Sequence, residues 1–249
     1  MCKQIIKLFL ITSLAFCADL SPIDIIKKSV KRLDGINMTF NADIKFQSSS
    51  TEPINYNLNY SSYWPIIDSL LYYNYISFNS PIDYKGVDIW FEYKNDSISV
   101  KKRLPVNNEI IDVKNNNENS NILSLFNFID LFEEIKEKSF SLKNKKINNI
   151  DVYQIAAFNP KFKKKSIKLY IDKNNYNLYR VEWSDKRGSI VKKLLFSDWE
   201  ETNNISFALK IVFEDFKNQN KITSILNSLN FKNIDEKNIN KIKSGFDVK

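Results

Sequence analysis

The chain has 249 residues, of which 37 are Lys or Arg and 29 are Asp or Glu, and its formal net charge at pH 7 is +8. It contains no histidine, which excludes Ser-His-Asp and Cys-His nucleophile activation and every zinc site built on imidazole. With only four glycines, it also has no phosphate-cradling glycine loop. These absences favour a binding protein without cofactor or metal over an enzyme.

The N-terminus predicts a secretory signal peptide over residues 1–17 and a single domain over residues 18–249. An apolar run from Ile5 to Phe16 follows a basic start, and it is shorter than the about 20 residues that span a bilayer. We expect cleavage after Cys17 and release into the periplasm. The alternative is that Cys17 ends a Leu-x-x-Cys pattern and becomes a lipid anchor in the outer membrane, although Phe16 is larger than the usual residue before such a cysteine.

Positive charge remains after this cleavage. Loss of Lys3 and Lys7 lowers the formal charge from +8 to +6, and Lys163–Lys165 is the most compact basic run. No groove-reading motif is present and export removes nucleic acid as a partner. Weak attraction to an anionic lipid surface is the favoured interpretation.

The mature chain is predicted to open with an amphipathic helix over Ser21–Asp34. Ser21 is a typical N-cap, Pro22 suits the first helical position and Asp24 places an acid in the first turn. The apolar stripe at helical spacing consists of Ile23, Ile26, Val30 and Leu33. Gly35 ends the helix.

After the helix the apolar period changes from helical spacing to two, which is typical of half-buried strands. Alternating segments cover Met38–Phe46, Ile54–Tyr60, Val87–Tyr93, Ile98–Val100, Ile167–Ile171, Val181–Trp183 and Ile205–Phe213. Turn signals between them include Lys85-Gly86, Asn95-Asp96, Asp172–Asn175, Arg187-Gly188 and Asn203-Asn204. The pattern predicts a large antiparallel sheet that curls towards a barrel.

Two segments depart from strand periodicity. Asn107–Ser120 is polar and predicts a loop, and Asn121–Lys138 predicts a second amphipathic helix through Ile122, Phe126, Ile129 and Phe132. A short C-terminal helix is expected from Asp235 to Gly245.

Carboxylate chemistry is the remaining catalytic alternative. Candidate glycosidase-type pairs are Asp88 with Glu92, Glu133 with Glu134, and Asp198 with Glu200, and Asp83 or Asp88 could join a calcium site. Acidic residues that alternate with apolar ones on strands are usually the solvated face of a sheet, which is the favoured interpretation here.

The order of the motifs resembles a known family. Residues 85–104 contain Gly-Val-Asp-Ile-Trp-Phe and a basic strand, and Ile167–Asp172, Leu178–Trp183 and Asp185–Gly188 follow in sequence. The chain is similar in this order, over nearly the whole mature length, to outer-membrane lipoprotein-sorting proteins of the LolA/LolB-like superfamily. The individual motifs are short, so order and spacing together carry the resemblance.

The resemblance implies a mainly β fold with lid helices, in which a curved antiparallel sheet forms an unclosed β-barrel around an apolar cavity. The implied function is a periplasmic carrier that takes acyl chains of lipoproteins or other lipids from an inner-membrane donor to an outer-membrane acceptor. Carriers of the best-known type latch the lid through an Arg-Pro pair. The corresponding stretch here is Tyr63-Trp64-Pro65, which lacks the arginine.

The candidate ligand-binding residues are the apolar residues on one face of each predicted strand and each predicted helix. We expect a pocket of roughly several hundred Å³ between the sheet and the two helices. The predicted cavity wall consists of Phe40, Ile44, Phe46, Tyr56, Leu58, Ile89, Phe91, Leu169, Ile171, Leu209 and Ile211. The predicted lid consists of Ile26, Val30, Leu33, Ile122, Phe126 and Ile129.

Two other interpretations stay open at this point. The same periodicity would describe an ordinary packed barrel core. A different class of function is a non-enzymatic envelope module that binds a protein or a cell-wall partner, with Tyr72, Tyr73 and Tyr75 as a recognition stripe if they are exposed.

Overall fold

The computed structural model describes residues 20–31, 35–66, 71–94, 97–113, 131, 134–135, 137–233 and 236–247. The predicted signal peptide with Cys17, and the predicted lid residues Leu33, Ile122, Phe126 and Ile129, lie outside the described residues. The helices are α1 (Pro22–Lys31) and α2 (Glu236–Ser244). The strands are β1 (Ile36–Gln47), β2 (Ile54–Ile66), β3 (Leu71–Ser80), β4 (Asp88–Lys94), β5 (Ser97–Arg103), β6 (Ile110–Asp112), β7 (Ser139–Ile147), β8 (Ile150–Phe158), β9 (Ser166–Asp172), β10 (Leu178–Ser184), β11 (Ile190–Thr202), β12 (Ile205–Asp215) and β13 (Asn220–Asn233).

All thirteen strands form one antiparallel sheet in the order β6-β5-β4-β3-β2-β1-β13-β12-β11-β10-β9-β8-β7. The first half of the chain runs from the centre to one edge, and the second half returns from the other edge. The two halves join where β1 pairs with β13, with Ile44 opposite Ser224. Because β6 and β7 form the two edges, the described sheet is not closed, and the predicted fold class is confirmed.

Asparagine pairs form two of the hairpin turns. Asn148-Asn149 connects β7 to β8 and Asn203-Asn204 connects β11 to β12, and all four residues have positive φ between 48° and 67°. Two-residue hairpins need this left-handed backbone at both central positions, and Asn tolerates it better than other non-glycine residues. The frequent Asn of this chain therefore replaces the glycine that such turns otherwise use.

Every alternating segment falls in a strand, apart from Val87 directly before β4, but β3, β6, β7, β8, β11 and β13 were not predicted as strands. In β13 the inner stripe starts at Ile222, contains Ser224, and changes phase at Ser228, whose φ is +54°. A bulge of this kind moves the following residues to the other face, so Leu229 and Phe231, rather than the next even positions, join the core. The sequence pattern of period two is lost there.

One boundary differs from prediction. The segment expected to be a loop over residues 107–120 contains β6, in which Ile110 pairs with Arg103 of β5. Helix α1 is described as far as Lys31, and the expected end at Asp34 lies outside the described residues.

The outer face at the centre of the sheet is polar. Asn57 Nδ2 donates to Asp43 Oδ1 at 2.7 Å, and Asn227 Nδ2 donates to Asp43 Oδ2 at 2.8 Å. Asn41 and Asn57 also exchange amide hydrogen bonds across β1 and β2. The asparagines that alternate with apolar residues in these strands are therefore cross-strand partners, which leaves the apolar residues for the inner face.

Candidate functional site

The inner face of the sheet carries one apolar cluster to which β1–β5 and β7–β13 contribute. Of the predicted wall residues, nine are buried and Phe46 and Leu209 are partly exposed. The buried nine are Phe40, Ile44, Tyr56, Leu58, Ile89, Phe91, Leu169, Ile171 and Ile211. Most of the residues that the alternation of apolar side chains predicted for the cavity wall therefore lie on the covered side of the sheet.

Helix α1 covers part of this face. Ser21 begins it, because its hydroxyl accepts a hydrogen bond from the backbone N–H of Asp24 at 3.2 Å. Ile25 and Ile26 belong to the apolar cluster, and Val30 is also buried. Ile23, predicted in the buried stripe, is 47% exposed. The buried side of the helix consists of Ile25, Ile26, Ser29 and Val30.

A polar contact holds α1 to the sheet beyond the apolar cluster. Lys28 Nζ donates to the hydroxyl of Tyr176 at 3.4 Å and lies 5.0 Å from the centre of its ring. Both groups are exposed, so the pair is weak, in the range of exposed cation–π contacts of about 0.5–1 kcal/mol.

A second covering piece is the central helical segment, defined by Leu131, Glu134 and Ile135, which are helical. Leu131 and Ile135 are buried in the apolar cluster. Trp183 Nε1 donates to Glu134 Oε2 at 3.0 Å, and Lys138 lies 3.8 Å from the other oxygen. The sequence prediction of a helix here did not identify these residues, although Leu131 and Ile135 have the i, i+4 spacing of a helical stripe.

A cleft of about 670 Å³ opens beside the central helical segment. Glu134 and Lys138 line one side, and Ile167 and Trp183 line the wall. Its rim is charged, with Lys165, Asp185, Lys192, Asp215 and Lys217 among its residues. Strand ends and hairpin loops form the opening of this cleft. The apolar pocket expected between the sheet and the two helices stays a prediction, because most of the second predicted helix lies outside the described residues.

Polar side chains interrupt the apolar inner face at several described positions. Ser62 Oγ donates to Asn74 Oδ1 at 2.8 Å in a buried pair, and Ser224 lies between Ile44 and Ile211 in the register. Burial also raises the pKa of the nearby Tyr60 hydroxyl, which keeps it neutral. The wall is thus apolar in bulk but not uniformly so.

Helix α2 covers the opposite, outer face over β2–β5. Tyr63, Trp90, Ile239 and Phe246 form a separate buried cluster, against which Tyr73 and Tyr75 pack. The ring centroids of Tyr73 and Trp90 are 5.3 Å apart. Residues 236–247, which we call the C-terminal segment, therefore partly cover the expected recognition stripe at these two tyrosines; the Tyr72 side chain lies outside the described residues.

Two of the candidate catalytic carboxylates, Asp88 and Glu92, have basic partners. Asp88 is bound by Arg103, whose Nε donates at 3.1 Å, and Lys243 donates to Glu92 at 3.0 Å, which raises the pKa of Lys243. Asp198 is exposed and has a positive φ of +56°, and Glu200 is exposed in the same strand. Glu133 lies outside the described residues, and within those residues no three acidic groups converge as a metal site.

A protein-family model described as "Uncharacterized protein" matches residues 73–241. This range is more than half of the chain. The chain belongs to that family. The match includes strands β4–β13 and most of β3, and therefore most of the sheet that forms the inner face.

Solved structures share the fold at low sequence identity. A domain described as an outer membrane lipoprotein-sorting protein, from Vibrio parahaemolyticus, has a TM-score of 0.71 at 17% identity, with 90% of this chain and 97% of that chain covered. A DUF1329 family protein from Desulfovibrio piger has a TM-score of 0.65 at 16% identity, covering 84% and 90%. A LolA superfamily protein from Nitrosomonas europaea has a TM-score of 0.60 at 13% identity, covering 88% and 96%. The resemblance stated from the sequence is thereby confirmed at the level of fold.

A curated protein also matches by sequence. The eukaryotic translation initiation factor 2-alpha kinase PK4 of Plasmodium falciparum is 29% identical over 178 residues, which are 66% of this chain. The chain spans 6% of the length of that kinase.

No helix among the described residues has the length and hydropathy needed to cross a membrane.

Proposed function

We propose that the protein is a carrier that binds the acyl chains of lipoproteins or other lipids on the inner face of its sheet, beneath α1 and the central helical segment. It takes its cargo from an inner-membrane donor and delivers it to an outer-membrane acceptor. Binding and release make or break no covalent bond. The periplasm is the proposed location, with a mature chain that begins near Ala18.

The main support for the proposal is that helices, and not a second sheet, cover the inner face. A sandwich would bury such a face under a second sheet, whereas α1 and the central helical segment cover this one. Outside the apolar cluster, the described polar contacts of these helices include Lys28 to Tyr176 and Trp183 to Glu134, and both bonds are exposed. A cover of this size can be displaced without unpairing any strand.

The energetics favour exchange between lid and cargo. Removing an acyl chain from water gains about 0.8 kcal/mol per CH₂, so a long chain repays the loss of the contacts that Ile25 and Ile26 make with the wall. The unloaded protein keeps its apolar face covered by these same residues. A ligand that binds the open state shifts the population towards it, which allows loading and release. The descriptions of the structural neighbours from Vibrio and Nitrosomonas agree with this role.

A charge on the wall tests the proposal. Leu209 lies partly exposed against the apolar cluster, so Leu209→Asp places a carboxylate where the cargo lies without emptying the core. We expect competition between unlabelled fatty acid and a fluorescent fatty-acid probe in the parent protein, and at least about tenfold weaker probe binding in the variant. The next residue, Lys210, lies on the opposite face, and Lys210→Asp introduces the same side chain as a control that should bind normally.

Equal probe binding by both variants, with both folded by circular dichroism, would contradict a lipid site on the inner face. Mass spectrometry of the mature protein gives a second, independent reading. We expect extra mass under native conditions that disappears on denaturation and corresponds to co-purified lipid. A single mass equal to the polypeptide under both conditions, together with failure to bind the probe, would exclude the carrier role.

A further inference from the structure

Three hairpin loops lie side by side at one end of the sheet. Residues 159–165 connect β8 to β9, residues 185–190 lead from β10 into β11, and residues 216–219 connect β12 to β13. Because β8 to β13 are neighbours in an antiparallel sheet, every second hairpin lies at the same end. Direct contacts link the loops: Phe216 N donates to the carbonyl of Val191 at 2.9 Å, and Lys186 Nζ lies 5.2 Å from the centre of the Phe162 ring. We call these three loops the basic loop edge.

The basic loop edge is strongly cationic. Its positive side chains are Lys161, Lys163, Lys164, Lys165, Lys186, Arg187 and Lys217, and all seven residues are exposed. Its one acidic residue, Asp185, accepts hydrogen bonds from the backbone N–H groups of Arg187 and Ser189, each at 2.9 Å. In the part of the chain that the structure describes, none of the seven cations forms a salt bridge. The charge at this edge is therefore available to an external anionic partner.

Apolar side chains stand among these cations. Phe162 is 50% exposed, Ile190 is 42% exposed and Phe216 is 51% exposed. Ile82 and Val106, 79% and 95% exposed, lie in the loops after β3 and β5. The strand registers place those loops at the same end of the sheet. Most of the large apolar residues that are exposed in the described chain are thus at one end.

The cleft opens at this same edge. Phe162, Lys165 and Lys217 belong both to the loops and to the cleft lining, which continues inward to Ile167 and Trp183. A surface in contact with the loops would therefore also be in contact with the mouth of the cleft.

We infer that the basic loop edge docks on the surface of an anionic lipid bilayer. Cations beside an anionic surface gain attraction that adds from residue to residue, and apolar side chains among them enter the interface between headgroups and acyl chains. The separated apolar tips suit a fluid surface, since each tip inserts independently of the others, whereas a protein partner usually needs one contiguous apolar patch. Docking does not require that the protein carry lipid, and it places the mouth of the cleft against the membrane.

Vesicle sedimentation with the full mature chain tests the docking. The probes are vesicles of phosphatidylcholine alone and of phosphatidylcholine mixed with phosphatidylglycerol. We expect binding to the mixed vesicles, little binding to phosphatidylcholine, and weaker binding as salt rises. The variant K161Q/K163Q/K164Q should bind about a hundredfold more weakly, because each lysine near the surface contributes about a fivefold factor. Phe216→Ser should also weaken binding, because it removes an inserting side chain.

Matched control variants show whether vesicle binding depends on the position of these residues or only on the overall charge and hydrophobicity of the protein. K143Q/K145Q/K146Q removes three exposed lysines from β7, and Ile225→Ser removes an apolar residue that is 48% exposed in mid-strand; both should leave vesicle binding unchanged. Equal losses in the two lysine variants, or no binding of the parent protein to anionic vesicles, would overturn the docking edge. So would binding of a nucleic acid or protein through these lysines with no vesicle binding.

The fatty-acid probe distinguishes this failure from failure of the carrier role. K161Q/K163Q/K164Q should keep the probe affinity of the parent protein, because its substitutions lie on exposed loops outside the apolar cluster. Loss of probe affinity in that variant would contradict separate docking and cargo surfaces.

Discussion

Helices cover both faces of the sheet, but the two covers are fastened differently. Helix α2 on the outer face is joined to the sheet by Lys243 with Glu92, and the residues after it by Lys101 with Asp247 and by the burial of Phe246. The described contacts of helix α1 on the inner face include apolar packing and a long hydrogen bond from Lys28. Under the proposed carrier role, we expect the outer cover to stay fixed and the inner cover to move as a lid.

The largest effect is expected from the outer cover. Phe246 is buried, stacks at 6.2 Å on Trp90 and lies under the guanidinium of Arg103. Phe246→Ala should lower the free energy of unfolding in denaturant by about 3–5 kcal/mol, as truncation of a buried aromatic does. Phe216→Ala, at an exposed site, should change it by less than about 0.5 kcal/mol. Similar small losses in both variants would mean that the C-terminal segment is not fastened.

The ion pair beneath the C-terminal segment should matter next. Arg103→Met keeps much of the side-chain volume but leaves the Asp88 carboxylate, which is 11% exposed, without its cation. We expect the free energy of unfolding to fall by about 2 kcal/mol. The double variant with Asp88→Asn should recover part of that loss, because the uncompensated charge is gone. No difference between the single and double variants would contradict a structural role for the pair.

Tyr170, on the outer face, should make the fold less stable at high pH. Burial and the hydrogen bond to Glu182 raise the pKa of Tyr170 from 10.0 to about 12. Since the folded pKa is higher than the unfolded one, Tyr170 stabilises the fold fully below pH 10 and loses that contribution as pH rises to about 12. Tyr170→Phe should make the free energy of unfolding fall less steeply over that interval in denaturant titrations. An unchanged slope would mean that Tyr170 titrates alike in both states.

The smallest effect on stability is expected at the inner lid. Trp183→Phe removes the N–H group that donates to Glu134, and we expect a loss of less than about 1 kcal/mol because the bond is exposed. Release of the fatty-acid probe, followed by stopped-flow fluorescence, should become several-fold faster. Glu134→Gln keeps an acceptor oxygen for the indole and serves as the milder comparison. A large stability loss with unchanged release would place Trp183 among the fixed core residues instead.

Periodicity alone predicted the inner wall. Strands β1, β2 and β12 alternate cleanly, so positions such as Ile44, Leu58 and Ile211 were placed on the covered face. The outer cover had a signal that went unused: Ile89, Trp90 and Phe91 form a continuous apolar run, which is typical of a strand buried on both faces. Both faces of β4 are indeed covered, by the apolar cluster and by the C-terminal segment.

The charged rim of the cleft and the basic loop edge could not be predicted from periodicity. Lys163–Lys165 was visible as a basic run, but Phe216 and Arg187 are distant from it in sequence. Only strand order places their loops together, and β13, which sets that order at the centre of the sheet, has a stripe interrupted by Ser224 and shifted at Ser228. The hydrogen bond between Trp183 and Glu134 is likewise a contact between distant segments, which no local pattern specifies.

Hydrogen exchange followed by mass spectrometry, with and without bound fatty acid, tests the contrast between the two covers most directly. Entry of an acyl chain under the lid requires α1 to give up its contacts with the wall, so the backbone amides of residues 23–31 in α1 should exchange faster in the loaded protein. Amides of Glu236–Ser244 should exchange at the same rate in both states. Unchanged exchange in α1 upon saturation with ligand, or faster exchange confined to α2, would contradict an acyl-chain site beneath a displaceable inner lid.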